Sequence, residues 1–279
     1  MTTVATVMTI SGNDPSGGAG LCADIEAILS QGVQALPIVT CVTVQDTCNV
    51  KTINPLDATL VSQQARQVLE DMSVDVIKLG LLGSEEIIEA VSLLLRDYPH
   101  IPVVMDPVLA AGGGLAFADT GMLDMMRELL LPQIDVLTPN SHEIRLLVPE
   151  ADSSLAACAA LQEWGCEYVL VTGTHENTTK VINRLFHQQK ELHSYEWDRL
   201  PNTYHGSGCT LASAIAGLLA QGTDPVQAIE EAQAYTWQSL VGGYRLGMGQ
   251  WHPNRLFWAE GSDEDEETPE DFEDGDDDE

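Results

Sequence analysis

Positive charge is scarce in this chain of 279 residues, which carries 12 Lys and Arg against 43 Asp and Glu. Nucleic acids and anionic membranes favour cationic surfaces, so this balance argues against either as a partner. Thirteen of the acidic residues lie in residues 262–279, which contain no Lys or Arg. We predict that this self-repelling segment is a disordered, solubilising tail, with an interaction tail as the alternative. Residues 1–261 stay acidic without it.

Paired cysteines, aromatic residues and long apolar runs are also lacking. The six cysteines show no CxxC spacing, and the N-terminal MTTVATVMTI has no basic region typical of a signal peptide, which argues against a secreted disulfide framework. No apolar run reaches the roughly 18 residues of a membrane helix. Aromatics make up 5%, so the core is expected to consist of Val, Ile, Leu, Ala and Met. We therefore expect a cytoplasmic protein.

Strand and helix patterns alternate along the chain and predict one α/β domain over residues 1–261. Runs of β-branched residues predict strands at 4–10, 38–44, 74–79, 101–105, 134–137 and 168–171, and a hairpin at 180–187 and 191–197. Helical spacing of apolar residues predicts helices at 21–31, 58–72, 85–97, 122–130, 153–164, 208–221 and 225–241, and one more after Asn140. Such alternation favours a mainly parallel central sheet with helices on both faces.

Clusters of Gly, Asp and Asn follow the predicted strands at residues 11–20, 106–114 and 138–143. In open parallel sheets, ligands bind beyond the carboxyl ends of the strands. These three clusters are therefore expected to form a ligand site.

The segment His205-Gly206-Ser207-Gly208-Cys209-Thr210 opens a helix rich in small residues. Gly206 and Gly208 allow the backbone to approach a ligand closely. The first amides of a helix lack intrahelical partners and lie at its positive end, so they bind phosphate or the charge of a transferring phosphoryl group. A simple turn with a helix cap is the alternative.

Cys209 adds a chemical group to this helix start. A thiol at a helix N-terminus is expected to have a lowered pKa and to act on a hydroxyl nucleophile as a base or polariser. The alternative is a small core residue. The preceding glycines favour exposure at the loop over burial.

HGSGCTLASAIAGLLAQG resembles the anion-hole signature of the hydroxymethylpyrimidine/phosphomethylpyrimidine kinases, a ribokinase-like family. The N-terminal TISGNDPSGGAGLCADI is similar to the same family's SGSDPSGGAG block. Weaker matches are TVQDT, KLGLLG, VVMDPV and TPNSHE, in the family's order over about residues 4–242. The resemblance implies ATP-dependent phosphorylation of hydroxymethylpyrimidine and of its monophosphate in thiamine synthesis, with ATP and Mg²⁺ as cofactors and a homodimer as a common assembly.

The resemblance also implies a pyrimidine pocket lined by Gly12, Ala19, Thr43, Gln45, Leu81 and Val108. The Gln45 carboxamide complements the donor and acceptor edge of an aminopyrimidine, although a plain hydrogen bond at the end of a strand is equally compatible. The apolar residues suit the faces of the ring, with core packing as their alternative. Asp14, in the Gly-rich loop, either binds the substrate side of the cleft or holds the loop's turn.

No GxxxxGK[ST] sequence is present, which argues against a P-loop nucleotide site. By the resemblance, Asn140 and Glu143 belong to an N-x-x-E motif that positions Mg²⁺ and phosphate. The same spacing is also that of a capping box. Asp106 is a second candidate metal ligand, or ends its strand in a turn. Ser207 and Thr172 are candidate phosphate-binding residues.

Two positions depart from the family pattern. Relatives commonly carry a Lys in a VKGGH-like segment, where this chain reads VTGTH over residues 171–175, and another after DPV, where this chain has AAG over residues 110–112. Thr172 or Thr174 can hydrogen-bond phosphate, but the cations are lost. Two alternatives therefore stay open: a pyridoxal-type or other ribokinase-like kinase, and a catalytically weak pyrimidine-binding protein.

Overall fold

A single nine-stranded sheet organises the protein, whose computed structural model describes residues 4–110 and 117–259. Its strands are β1 (Thr6–Asn13), β2 (Gln34–Gln45), β3 (Val50–Pro55), β4 (Val76–Leu79), β5 (Val103–Met105), β6 (Val136–Leu137), β7 (Tyr168–Val171), β8 (Lys180–His187) and β9 (Lys190–Asp198). The strand order is β3-β2-β1-β4-β5-β6-β7-β8-β9. All pairings from β2 to β7 are parallel, and β3, β8 and β9 join antiparallel at the two edges.

Helices cover both faces of this sheet, as predicted. They are α1 (Gly20–Ser30), α2 (Ala58–Asp71), α3 (Glu85–Asp97), α4 (Thr120–Met125), α5 (Glu143–Leu147), α6 (Ser154–Glu163), α7 (Ser207–Ala220) and α8 (Pro225–Val241). A π-helical turn, Met126–Leu130, continues α4. One core lies between the sheet and α2 to α6, and the other between the sheet and α1, α7 and α8.

Alternating side chains along the central strands supply the two cores. Val76 and Val104 point to the face covered by α7, whereas Ile77 and Met105 point to the opposite face. Strands buried on both faces read as continuous apolar runs, which explains why their positions were predictable.

β3 is the strand that the sequence analysis missed. Its residues, VKTINP, are mostly exposed and include a Lys, an Asn and a Pro. Pairing with β2 at the sheet edge, rather than burial, places it in the sheet, and an edge strand tolerates such residues.

Three predictions concern residues outside the described ranges: the acidic tail at 262–279, the boundary of the domain at residue 261, and most of the loop after Val108. Within the described part of the chain, no helix is both long and apolar enough to cross a membrane.

Candidate active site

The start of α7 presents backbone amides that are free to bind a ligand. Gly206 is the N-cap residue, with φ 81° and ψ 17°, and it has no side chain with which to cap the helix. The first intrahelical bond runs from Thr210 N to Gly206 O, at 2.9 Å. No side chain of residues 4–110 or 117–259 accepts a hydrogen bond from the amides of Ser207, Gly208 or Cys209. These amides therefore have the free donors that the predicted anion site requires.

Glycine is required at position 206 for a second reason besides its positive φ. A Cβ there would collide with the backbone carbonyl of Gly18 in the Gly-rich loop. The loop and the start of α7 are therefore in direct contact.

Cys209 is buried, and the two predictions made for its exposure and pKa are wrong. Its exposed fraction is 8%, although the neighbouring Gly208 is exposed. Burial, together with the nearby Asp106 carboxylate, raises the pKa of the thiol to about 12, while Lys78 acts in the opposite direction. The thiol is therefore protonated at neutral pH, because burial outweighs the helix dipole here.

The surroundings of the Cys209 thiol are nevertheless polar. The backbone amide of Gly20 and the carboxylate of Asp106 both lie close enough to the thiol to act on its pKa. A Cβ on Gly208 would lie 3.4 Å from Asp106 Oδ2, so this carboxylate faces the first turn of α7. The starts of α1 and α7 thus converge on a thiol–carboxylate pair.

Asp14 holds the turn of the Gly-rich loop. Its Oδ1 accepts from Ser16 N and Ser16 Oγ, each at 2.8 Å, and its Oδ2 accepts from Ala19 N at 2.9 Å. His205 Nε2 lies 2.8 Å from the same Oδ2. Burial alone would raise the pKa of Asp14, but hydrogen bonds from His205, Gln45 and Ser16 hold it well below its ordinary value. Of the two roles expected for Asp14, this geometry is that of a residue that holds the turn of the loop.

The residues of the expected pyrimidine pocket lie together beyond the carboxyl ends of neighbouring strands. Gly12 lies in β1, Thr43 and Gln45 in β2, and Leu81 and Val108 follow β4 and β5. These four strands are neighbours, and their carboxyl ends meet at the same edge.

Side chains of the protein occupy some of the space expected for a ligand. A Cβ on Gly12 would lie 2.6 Å from Cys41 Sγ and 3.2 Å from Leu81 Cδ2, so Gly12 gives room to these two residues. Thr43 Oγ1 donates to Asn13 O at 3.0 Å. Gln45 lies close enough to Asp14 to lower the pKa of that carboxyl.

Asn140 and Glu143 form the reciprocal bonds of a capping box. Asn140 Oδ1 accepts from His142 N at 2.8 Å and from Glu143 N at 3.0 Å, while Glu143 Oε2 accepts from Asn140 N at 2.9 Å. Burial and, to a lesser extent, repulsion from Asp106 together raise the pKa of Glu143 to about 8. The observed geometry is therefore that of the capping box. In this arrangement Glu143 lies close to Asp106.

Asp106 and Glu143 fit a magnesium ion. Burial raises the pKa of Asp106 to about 6, against the attraction of Lys78, so both neighbouring carboxyls lack a sufficient counter-charge. Within the described ranges, no cluster of three or more His, Cys, Asp or Glu side chains is arranged around a common centre. Mg²⁺ commonly takes one or two carboxylates and completes its shell with waters and substrate phosphates.

Thr172 lies beside Asn140 at the ends of β6 and β7. The two residues pair in a parallel bridge, and Thr172 O accepts from Ser141 N at 3.2 Å. Arg199 clamps the following loop, because its guanidinium donates to the carbonyls of Thr174, Glu176 and Thr178, each at 2.9 Å. This cation is thus engaged with the backbone next to the predicted phosphate residues.

Sequence reasoning missed two groups of residues that support the site. Arg255 is buried; its guanidinium donates to Thr210 Oγ1 at 2.8 Å and also to the carbonyl of Gly18, which links the C-terminal segment to the Gly-rich loop and α7. Lys78 and Asp24 form an ion pair of 2.7 Å in which both side chains are 0% exposed. A signal existed for this pair, since each is a charged residue in an otherwise apolar run; none existed for Arg255.

Comparisons with known proteins agree with the sequence motifs. The family described as phosphomethylpyrimidine kinase matches residues 14–254. The hydroxymethylpyrimidine/phosphomethylpyrimidine kinase of Mycobacterium tuberculosis is 36% identical over 257 residues, which are 90% of this chain and 94% of that protein. The chloroplastic thiamine biosynthetic bifunctional enzyme TH1 of Arabidopsis thaliana is 34% identical over 85% of this chain, which spans only 47% of that longer relative.

Solved structures give the same fold. The ADP complex of Bacillus subtilis pyridoxal kinase superposes with a TM-score of 0.84 at 25% sequence identity, covering 93% of this chain and 100% of that one. The predicted ribokinase-like α/β fold is therefore confirmed. Because the family model matches residues 14–254, most of the chain, this chain belongs to the phosphomethylpyrimidine kinase family.

Proposed function

We propose that this phosphotransferase uses ATP to phosphorylate hydroxymethylpyrimidine and then its monophosphate to the diphosphate, a step of thiamine synthesis. Family membership and the names of the relatives support the reaction class. One structural observation carries the proposal: the uncapped start of α7 lies directly against the Gly-rich loop that belongs to the expected pyrimidine pocket.

The pyrimidine is proposed to bind at the carboxyl ends of β1, β2, β4 and β5. Ionised Asp14 can only accept hydrogen bonds, so Gln45 must turn its amide nitrogen toward it. The Gln45 carbonyl oxygen is then available to accept from the amino group of the substrate. Leu81 and Val108 supply apolar contacts, and Gly12, Ala19, Thr43 and Asp14 fix the walls.

Phosphoryl transfer is proposed to occur at the first turn of α7. The hydroxymethyl oxygen forms a bond to the γ-phosphorus as the bond from that phosphorus to the β–γ bridging oxygen breaks, and ADP leaves with the bond's electron pair. The amides of residues 207–209 hold the negative charge of the transferred group. Because the Cys209 thiol lies beside Asp106, the hydroxyl proton is proposed to pass to the sulfur while the thiol proton moves to the Asp106 carboxylate oxygen that does not hold the metal.

ATP is the proposed phosphoryl donor, and Mg²⁺ the proposed metal. Asp106 and Glu143 would hold the ion, which supplies charge neutralisation to the phosphates when bound. Asn140, Thr172 and Ser207 are proposed to hydrogen-bond the phosphates. The nucleotide in the B. subtilis structure supports ATP use on this fold.

A substrate panel tests the proposed function. ADP release is measured with hydroxymethylpyrimidine, its monophosphate, pyridoxal and ribose, each with and without Mg²⁺. Turnover of both pyrimidines, at a kcat/KM well above that of pyridoxal and ribose, is expected. Turnover of pyridoxal alone would make the protein a pyridoxal-type kinase, and pyrimidine binding without turnover would make it a binding protein.

A cytoplasmic location, a homodimer and a solubilising role for residues 262–279 remain our proposals for the whole chain. Analytical ultracentrifugation tests the homodimer, and the solubility and kcat of a variant ending at residue 261, compared with the full chain, test the role of the tail. A dimer with unchanged kcat in both is expected; loss of activity on truncation would assign the tail to the site.

A further inference from the structure

A buried ion pair lies beneath the first turns of α7. Lys78 Nζ, from β4, is 2.7 Å from Asp24 Oδ1, from α1. Two hydroxyl groups also donate hydrogen bonds to the Asp24 carboxylate. Ser213 Oγ of α7 donates to Oδ1 at 2.7 Å, and Thr9 Oγ1 of β1 donates to Oδ2 at 2.6 Å. Four elements therefore meet at one carboxylate.

Ser213 lies one helical turn after Cys209, on the same face of α7. The ion pair is thus next to the thiol–carboxylate pair of the site. Lys78 pairs with Val104 of β5 across the sheet, and Val104 belongs to the core covered by α1, α7 and α8. Asp106 lies two residues after Val104, and its carboxylate faces the first turn of α7. Lys78 and Asp106 are therefore on the same side of the sheet as the start of α7.

The surroundings keep the Lys78 ammonium charged. Burial opposes the charge and lowers its pKa, but Asp24, Cys209 and Asp106 together outweigh burial and raise the pKa above its ordinary value. A Cβ on Gly80 would lie 2.8 Å from Lys78 Nζ, so a glycine also makes room for the ammonium group.

Stability alone does not account for such a pair. Replacing a buried ion pair by uncharged residues of similar volume is often neutral or stabilising. A fixed positive charge is useful, however, where negative charge develops in a water-excluded site.

We propose that Lys78 is a positioning residue whose ammonium group, held in place by Asp24, stabilises the negative charge that develops at the start of α7 during transfer. This inference rests on the proposed kinase function. Lys78 contacts no substrate; it acts through Asp106, Cys209 and the first turn of α7.

The test separates the charge from the packing by comparing three variants. Lys78→Met leaves a buried carboxylate without its cation and is expected to lower the melting temperature severely. In Lys78→Met combined with Asp24→Asn, both charges are removed, while the amide introduced at position 24 can still bond to both the Thr9 and the Ser213 hydroxyls, its oxygen accepting from one and its nitrogen donating to the other. Thr9→Val, the matched control, removes one hydrogen bond to Asp24 and no charge.

The double variant is expected to regain most of the melting temperature, while its kcat stays at least about tenfold below that of the wild type. Its KM values for ATP and pyrimidine should change less than about threefold, because the ground state carries little of the developing charge. Thr9→Val should lose stability with a much smaller loss of kcat. Recovery of kcat together with the melting temperature would overturn the proposal, as would a loss expressed only in KM.

If the double variant does not fold, Asp24→Asn alone decides the question. It keeps the ammonium group, so it is expected to retain a kcat well above one tenth of the wild-type value despite lower stability; a larger loss would overturn the proposal. All kcat values are measured on whichever panel substrate the wild type phosphorylates. A wrong substrate assignment therefore appears in the wild type and not in the comparison of variants, and a wild type without turnover on any substrate overturns both proposals.

Discussion

Two helices begin at the same edge of the sheet, and their first turns are built in opposite ways. At α5, the Asn140 and Glu143 side chains satisfy the backbone amides around the helix start. At α7, the N-cap is a glycine, and the amides of residues 207–209 have no side-chain acceptor among the described residues. The capped start is satisfied by its own side chains, whereas the uncapped start leaves its amides to water or to a ligand.

The charges around the two helix starts also differ: the start of α5 is more negative, and the start of α7 more positive. Glu143 places a carboxyl on the first turn of α5, but α7 has no acidic residue in its first turn and lies above the buried ammonium of Lys78. A positive helix end without its own carboxylate attracts an external anion. This difference supports our proposal that the transferred phosphoryl group binds at α7 and that α5 holds the metal side of the site.

The largest effect is expected from removing the thiol at the uncapped start. Cys209→Ala should lower kcat on the order of 100-fold, since it breaks the proton route from the hydroxyl to Asp106. The pyrimidine KM should stay within about twofold. Cys158→Ala, which truncates a fully buried thiol in α6, controls for packing and should reduce stability alone. Unchanged turnover in Cys209→Ala would make the thiol a packing residue.

Giving α7 an acidic first turn like that of α5 should remove the preference of its start for an external anion. Ser207→Asp places a carboxylate where the phosphoryl group is expected, and kcat/KM for ATP should fall roughly 50-fold through like-charge repulsion. The melting temperature should hold or rise, because a carboxylate in the first turn favours the helix. Ser207→Ala, without the charge, should lose far less activity. Equal losses in both variants would contradict an anion site here.

Asp14 shapes the loop against which α7 starts, and its removal should weaken that contact. Asp14→Asn is expected to lower the free energy of unfolding by about 2 kcal/mol at neutral pH. Since the folded-state pKa of Asp14 is lowered, this contribution is present above the unfolded pKa of about 4 and is lost as the pH falls toward the folded-state value. Urea denaturation of both proteins from pH 3 to 7 measures it; a difference independent of pH would exclude the ionised carboxylate as its source.

The smallest effect is expected at the capped start. Asn140→Ala should cost about 1 kcal/mol of unfolding free energy, the usual contribution of a cap. Ser153 caps α6 in the same way, through a 3.2 Å bond from Ala156 N, so Ser153→Ala is the matched control remote from the site. Only Asn140→Ala should also raise the KM for ATP, and equal KM values in the two variants would restrict Asn140 to capping.

The fold was predictable because buried parallel strands and amphipathic helices leave strong patterns in a sequence. The motif at residues 205–210 also identified the helix start before its geometry was known. The raised pKa of Cys209 was not predictable, because besides burial it depends on Asp106, Lys78 and Gly20, which come from three distant parts of the chain. The two charged residues Asp24 and Lys78 were visible in the sequence, but their pairing was not, because they are 54 residues apart.

The central claim is that the transferred phosphoryl group binds to the backbone amides at the start of α7. ¹⁵N–¹H NMR of the labelled protein, titrated with hydroxymethylpyrimidine monophosphate, tests it most directly. The claim predicts large downfield amide proton shifts at Ser207, Gly208 and Cys209 and small shifts at His142 and Glu143. Saturating ligand that shifts the α5 amides and leaves those of α7 in place would contradict it.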